Sequence, residues 1–222
     1  MSNIIAIDGP AGSGKGTIAD ILSKKLNYIN IDTGATYRCV ALKAIRNNLL
    51  VDDTDKIIEI AKNIKIDEKL DGTILMDGED VTNLIREKDV TNIVSQISSI
   101  VEVRKYLVDI QRKMASNNDV IMEGRDITTV VFPDAKYKFY LDASLDERVR
   151  RRIKQNEEKN IDMSYEEVYN NISMRDLNDI NKEVGALKRT DEQIYIDSTN
   201  LTIDEVVSIM LQYIKGDEVN ES

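Results

Sequence analysis

One lysine sits inside a run of small residues, Gly9-Pro10-Ala11-Gly12-Ser13-Gly14-Lys15-Gly16-Thr17. Glycines at this density let the backbone curl until several N–H groups converge on one oxyanion, and Lys15 adds a mobile positive charge. Ile4 to Ile7 before the run is a short apolar stretch, while Ile18, Ile21, Leu22 and Leu26 after it share one helical face. The segment therefore reads as strand, loop and helix N-terminus, a construction that cradles phosphate. Gly9 to Lys15 fits GxxxxGK, but residue 16 is glycine and the hydroxyl arrives one place later, at Thr17, so the loop is a variant. A plain tight strand-to-helix connection is the other reading of such a turn.

The arginines are the next constraint. Arg148, Arg151 and Arg152 fall three and four residues apart on one helix, a like-charge cluster that a phosphate-rich ligand would relieve. Arg175 and Asp179 lie one turn apart on a later helix, with Lys182 at or past its end. Solvated helices laced with ion pairs would also explain this, since Glu157, Glu158, Glu166 and Glu167 are close in sequence. Combined with Lys15, the arrangement favours a site that gathers several phosphates while excluding water. Acidic helix ends at 157–158 and 162–167 would let the segment between them open and close as a lid. Arg38, one turn into a helix, and Arg104, beside an apolar stripe, are placed to reach a cleft.

These side chains need a frame, and the apolar pattern supplies one. Short strands near 4–7, 28–31, 119–122, 136–141 and 193–197 alternate with helices, which predicts an α/β protein with a five-stranded parallel sheet covered on both faces. Ligands in such folds collect at the carboxyl ends of the strands. Three of those ends carry charge: Asp8, which would orient the loop or metal waters or serve the structure alone, Asp32, and Arg125-Asp126. Residues 64–81 depart from this alternation. Ile64, Ile66, Ile74 and Met76 are punctuated by Asp71-Gly72 and Asp77-Gly78, which predicts a small inserted antiparallel excursion. Asp52-Asp53 is expected to cap a helix. Ser144 with Glu147, Ser164 with Glu167 and Thr202 with Glu205 read as capping devices, and the tail from Gly216 as frayed.

With 222 residues, 41% of them apolar, the chain can bury one good core. A net charge of −10 argues against non-specific nucleic-acid binding. There is no histidine, which excludes histidine bases and histidine metal sites, and the single cysteine, Cys39, excludes an intramolecular disulfide and reads as a core residue. No apolar run is long enough for a membrane span and no basic leader precedes the first strand, so a cytoplasmic location is expected.

GPAGSGKGT at 9–17, DTGATYR at 32–38, SQIS at 95–98, GRDITTVVFPDA at 124–135 and RDLNDINK at 175–182 together resemble the bacterial cytidylate kinases. The similarity runs from Ile4 to about Tyr213. It implies magnesium-dependent transfer of the ATP γ-phosphate to CMP or dCMP by a cytoplasmic monomer, within the nucleoside-monophosphate kinase fold. The core would comprise about 1–34, 118–150 and 185–216, the monophosphate-binding subdomain about 35–117, and the lid about 151–184. By the same resemblance Gly9 to Thr17 would hold the ATP phosphates, with Arg148, Arg151 and Arg152 on the lid side of that site. Arg38 and Arg125 would grip the acceptor phosphate, and Ser95, Arg104 and Asp126 would recognise cytosine. Arg175 and Asp179 would approach the pentose, with Thr33, Tyr37 and Lys182 completing the CMP site. Lys15, Arg38, Arg125, Arg148 and Arg151 would act directly in catalysis, and Thr17 is the nearest hydroxyl for magnesium or one of its waters.

Two positions depart from the family pattern. Lys182 stands where arginine is usual, keeping the charge without the planar fork. Thr128 stands where glycine is common. An acceptor that is already a phosphate oxyanion needs alignment and charge neutralisation more than a base, so the lack of histidine does not oppose this chemistry. A related kinase preferring UMP or AMP, or a nucleotide-operated regulatory module, are the alternative readings. Two separate sets of phosphate-seeking side chains favour an enzyme with two nucleotides over a one-nucleotide switch.

Overall fold

The computed structural model describes residues 3–158 and 161–220. The chain begins β1 (Ile4–Asp8), α1 (Lys15–Leu26), β2 (Ile29–Asp32), α2 (Thr33–Arg46) and α3 (Thr54–Asn63). Three short strands follow, β3 (Ile66–Glu68), β4 (Ile74–Met76) and β5 (Glu79–Asp80), then a 3-10 turn at Leu84–Arg86 and helices α4 (Lys88–Ile97) and α5 (Val101–Met114). The remainder is β6 (Val120–Gly124), a π-type turn at Ile127–Val131, β7 (Tyr137–Asp142), α6 (Leu145–Glu158), α7 (Tyr165–Ile180), β8 (Ile194–Asp197) and α8 (Ile203–Asn220).

The five longer strands form a parallel sheet in the order β2-β6-β1-β7-β8, with the glycine-rich loop leaving its central strand. Side chains alternate across it as a strand period of two requires. Ile5 and Ile7 pack with Ile18, Leu22, Val206 and Met210 on one face, whereas Ala6 packs with Ile31, Met122, Val108 and Ile127 on the other. Each fully buried side chain of this size contributes roughly 1.5–3 kcal/mol.

A second apolar cluster joins Val40, Ile57, Ala61, Ile74, Ile85, Ile97 and Leu107, all from the segment between the second and third strands of the large sheet. Cys39 lies in this cluster, fully buried, its thiol pushed up to about 12 by burial, as expected of a core residue. The excursion at 64–81 is a three-stranded antiparallel sheet, β3-β4-β5. Its Asp77-Gly78 turn holds both residues at positive φ, 52° and 90°, the geometry that tight hairpins demand.

Capping differs in detail from the sequence reading. Ser164 and Glu167 form a complete capping box, and Thr202 and Glu205 exchange the same reciprocal bonds. Asp53 precedes α3, but its carboxylate turns back to accept from Leu50 N (2.9 Å) instead of capping the helix. Ser144 accepts from Glu147 N (3.3 Å), yet the Glu147 carboxylate is drawn to Arg151, so that box is half-formed. The tail read as frayed continues α8 to Asn220. Among the described residues no helix is long and apolar enough to cross a membrane.

Candidate active site

The loop after β1 is shaped by close approach. A Cβ on Gly9 would collide with Leu141 O at the end of β7, and Gly14, at φ 93°, turns the chain into α1. Lys15 folds back beneath the loop, donating to Pro10 O (2.9 Å) and Ser13 Oγ (3.4 Å) with 5% of its surface exposed. Burial, then the positive charges of Arg125 and Arg175, bring its ammonium down to about 7 against the opposing pull of Glu123. A phosphate is the group that would reverse this cost. At the departure from GxxxxGK[ST], a Cβ on Gly16 would meet Glu123 Oε1 at 3.4 Å, an ordinary contact that places this carboxylate beside the loop. Thr17 is exposed and faces the cleft.

The arginines of α6 divide. Arg152 lines the cleft. Arg148 does not: its side chain is buried, donating to Ala143 O, Ala11 O and Asp176 Oδ2. Arg151 donates to Ser13 O (3.2 Å), to Ser198 and to Glu147. Both donate to the loop's backbone, whereas the resemblance put Arg148 and Arg151 on the phosphates themselves. Asp176 completes this support, accepting from Ala11 N at 3.1 Å and so tying α7 to the loop. Residues 159 and 160, within the segment expected to open and close as a lid, lie outside the described residues.

The cleft has a volume of about 280 Å³ and brings together Lys15, Thr17, Thr33, Tyr37, Arg38, Ser95, Arg104, Arg125, Asp126, Arg152, Arg175, Asp179 and Lys182. Pro10, Ser13, Arg148 and Arg151 stand behind its lining. Arg125 Nε donates to Asp179 Oδ2 (2.7 Å) and Lys182 Nζ to Asp179 Oδ1 (2.8 Å). Burial alone would raise the Asp179 carboxyl, but Arg125 and Lys182 hold it well below the usual range. Arg175 is brought down to about 10, by burial first and then by Arg125. Deeper in, Arg104 donates to Asp126 Oδ2 (2.5 Å) and to Ser98 O (2.9 Å), and stands over the Tyr37 ring. Arg104 Nε is buried without an acceptor. Asn178 Nδ2 approaches Ser95 Oγ at 3.5 Å, linking α7 to α4 across the mouth.

Asp8 is fully buried and accepts from Ile127 N (2.8 Å), Thr128 N (2.9 Å) and Thr128 Oγ1 (2.6 Å). These bonds fix the turn that follows Arg125 and Asp126. The unusual Thr128 takes part in this, also accepting from Gln193 Nε2 at 2.5 Å.

Among the described residues no three acidic, cysteine or histidine side chains are grouped to ligate a metal directly. A hydrated magnesium held mainly by nucleotide phosphates asks for less, and the Thr17 hydroxyl with the Glu123 carboxylate beside Gly16 fits that demand. Glu123 is held above the usual range by burial and by Asp32.

Sequence reasoning missed four residues of this region: Glu123, Asp176, Arg86 and Glu68. Glu123 and Asp176 lie within two residues of motif arginines, a usable signal, whereas Glu68 in the inserted strands and Arg86 in the turn after them had none. Glu68 Oε2 accepts from Asp32 N at 3.0 Å, docking β3 onto the end of β2. Burial, then the charge of Asp32, pushes the Glu68 carboxyl up to about 8. A raised folded-state value means that its stabilising protonation is complete below the ordinary 4.5 and lost as pH rises through about 8. Glu68→Gln, which keeps an acceptor for Asp32 N, is expected to raise Tm by about 3–6 °C at alkaline pH and much less in acid. Thermal melts across that range check this, and an equal shift at every pH would contradict it.

A phosphate loop on the central strand of a parallel sheet, faced by guanidinium groups from both flanking segments, defines a P-loop kinase. The cytidylate kinase family model matches residues 5–216. A cytidylate kinase of Caldicellulosiruptor saccharolyticus is 46% identical over 94% of this chain and 93% of its own length. One of Fusobacterium nucleatum is 46% identical over 97% of this chain and 99% of its own. This chain belongs to the cytidylate kinase family. In overall fold it is similar to an uncharacterised protein of Eubacterium ventriosum, at a TM-score of 0.53, 13% identity and coverage of 96% of this chain and 99% of that one.

Proposed function

We propose that the protein transfers the γ-phosphate of ATP to CMP or dCMP, giving ADP and CDP or dCDP. The observation that carries this is the Arg104–Asp126 pair, buried at the end of a cleft otherwise lined by phosphate-seeking side chains, with Arg104 Nε lacking an acceptor. A buried unpaired donor costs about 1–3 kcal/mol, and a ring acceptor of cytosine would satisfy it. Asp126 can accept from the exocyclic amino group, which arginine cannot.

Lys15 and the loop N–H groups hold the donor phosphates, with Arg152 on the lid side of that site, Arg38 and Arg125 hold the acceptor phosphate, and Arg175 reaches toward the pentose. Since the attacking atom is a phosphate oxygen, these groups act by aligning it and by neutralising charge that spreads over the transferring phosphoryl. Magnesium, held by the donor phosphates with Thr17 and Glu123 nearby, would supply further neutralisation. We place this activity in the cytoplasm, in a monomer.

Diphosphate formation from ATP with CMP, dCMP, UMP and AMP tests the reading. UMP presents a carbonyl where CMP has its amino group, so a carboxylate facing it should lower UMP use about 5- to 150-fold. Asp126→Ala is expected to narrow that gap, mainly by losing CMP use, whereas Arg104→Ala should impair both pyrimidines. An unchanged CMP/UMP ratio of kcat/KM in folded, active Asp126→Ala would overturn this account of selectivity. A regulatory module would bind ATP and phosphorylate none of the panel.

A further inference from the structure

We infer that Arg86, carried by the 3-10 turn that follows the inserted strands, is a further substrate-binding residue that joins Arg38 on the phosphate of the acceptor nucleotide. Arg86 ends the 3-10 turn and lines the same cleft as Arg38 and Arg152. The two arginines are built as one unit: Arg38 Nη1 donates to Ile85 O (3.2 Å), the carbonyl immediately before Arg86, and to Thr91 Oγ1 (2.9 Å). Whatever fixes Arg38 toward a phosphate therefore fixes the base of Arg86 as well.

Arg86 Nη2 donates to Asp32 Oδ2 at 3.0 Å, at the carboxyl end of β2, with 49% of its side chain exposed. The other carboxylate oxygen of Asp32 is committed to Ala35 N as the cap of α2. Arg86, Arg38 and Arg152 thus share the cleft with Arg104, Arg125 and Arg175. Their mutual crowding shows at Arg38, lowered by burial first and by Arg86 and Arg152 among its charged neighbours, with Asp32 opposing. A phosphate dianion would relieve that crowding, and Arg86 can exchange Asp32 for it by rotating its exposed side chain.

The competing role, a strut between insert and core, is already filled. Glu68 docks the insert onto the same strand through Asp32 N, and exposed ion pairs of the Arg86–Asp32 kind contribute little to stability. The 3-10 turn thereby gains a direct part in binding, because it delivers a cation to the acceptor phosphate beside Arg38.

The inference rests on the cleft being the CMP site, so wild-type binding of CMP is the control. Calorimetric titrations of CMP, cytidine and ATP on wild type, Arg86→Ala, Arg86→Lys and Asp32→Asn test it, with melts confirming folding. Arg86→Ala should weaken CMP about 10- to 100-fold while leaving cytidine, which lacks the phosphate, and ATP unchanged. Arg86→Lys should fall between. Asp32→Asn keeps an oxygen to cap α2 but releases Arg86, so CMP should bind as well as before or better. Equal weakening of CMP and cytidine, weakening of ATP instead, or equal losses in Arg86→Ala and Asp32→Asn would each overturn the assignment. Failure of wild type to bind CMP would sink the reading of the cleft, and this inference with it.

Discussion

Lys15→Met is expected to lower kcat by about a thousandfold while leaving the fold intact, since removing one preorganised donor to a developing oxyanion costs about 100- to 1000-fold and Lys15 adds a full charge. Stability should move the other way. The ammonium is buried against carbonyl and hydroxyl oxygens beside Arg125 and Arg175, with its ordinary value near 10.5 brought down to about 7. A depressed lysine value means that the folded state gains as pH rises through about 7 and is penalised below it. An apolar side chain of similar length avoids that penalty, so the Tm of Lys15→Met should equal or exceed wild type, most clearly below pH 7. ATP should restore the proton. Calorimetry near pH 8 in buffers of different ionisation enthalpy should find uptake of up to about one proton per ATP in wild type and none in Lys15→Met. Near-normal turnover in the folded variant would refute the role of Lys15.

What the sequence disclosed, and what it hid, follows the range of the interactions. The five sheet strands were legible because each is a short apolar run closed by a turn or a charged residue, and the loop because its glycines answer local geometry. The face shared by Arg148, Arg151 and Arg152 was legible too, but its orientation was not. Helical spacing groups residues on a face without saying whether that face meets a cleft or the back of a loop. Here Arg148 and Arg151 reach Ala11 O and Ser13 O, more than a hundred positions away in the chain. Asp8 was ambiguous for the same reason: its partners, Ile127 and Thr128, lie beyond any local pattern. Glu68 and Arg86 acquire meaning only when β3 and the 3-10 turn meet Asp32.

Arg125 should show the largest effect among the arginines, because two costs coincide there. Its guanidinium is the only cation bonded to Asp179 Oδ2 among the described contacts, with Lys182 on the other oxygen. Burial disfavours the charge on Arg125, yet Asp179 holds its value above the usual range, so the pair is mutually dependent. Arg125→Ala would remove the proposed grip on the acceptor phosphate and leave one oxygen of the buried Asp179 carboxylate without its cation, Lys182 keeping the other. Loss of transition-state stabilisation of this kind should lower kcat/KM by about 100- to 1000-fold for CMP, dCMP and UMP alike, since a phosphate contact does not distinguish bases. The stability cost is separable. The depressed carboxyl of Asp179 contributes stability present above its ordinary 3.8 and lost as pH falls below that, and Arg125→Ala should shrink this contribution. Adding Asp179→Asn together with Lys182→Met removes both remaining charges of the buried cluster and should recover much of the lost Tm without recovering activity. A folded Arg125→Ala that loses CMP use alone, with UMP use intact, would show that Arg125 reads the base and not the phosphate.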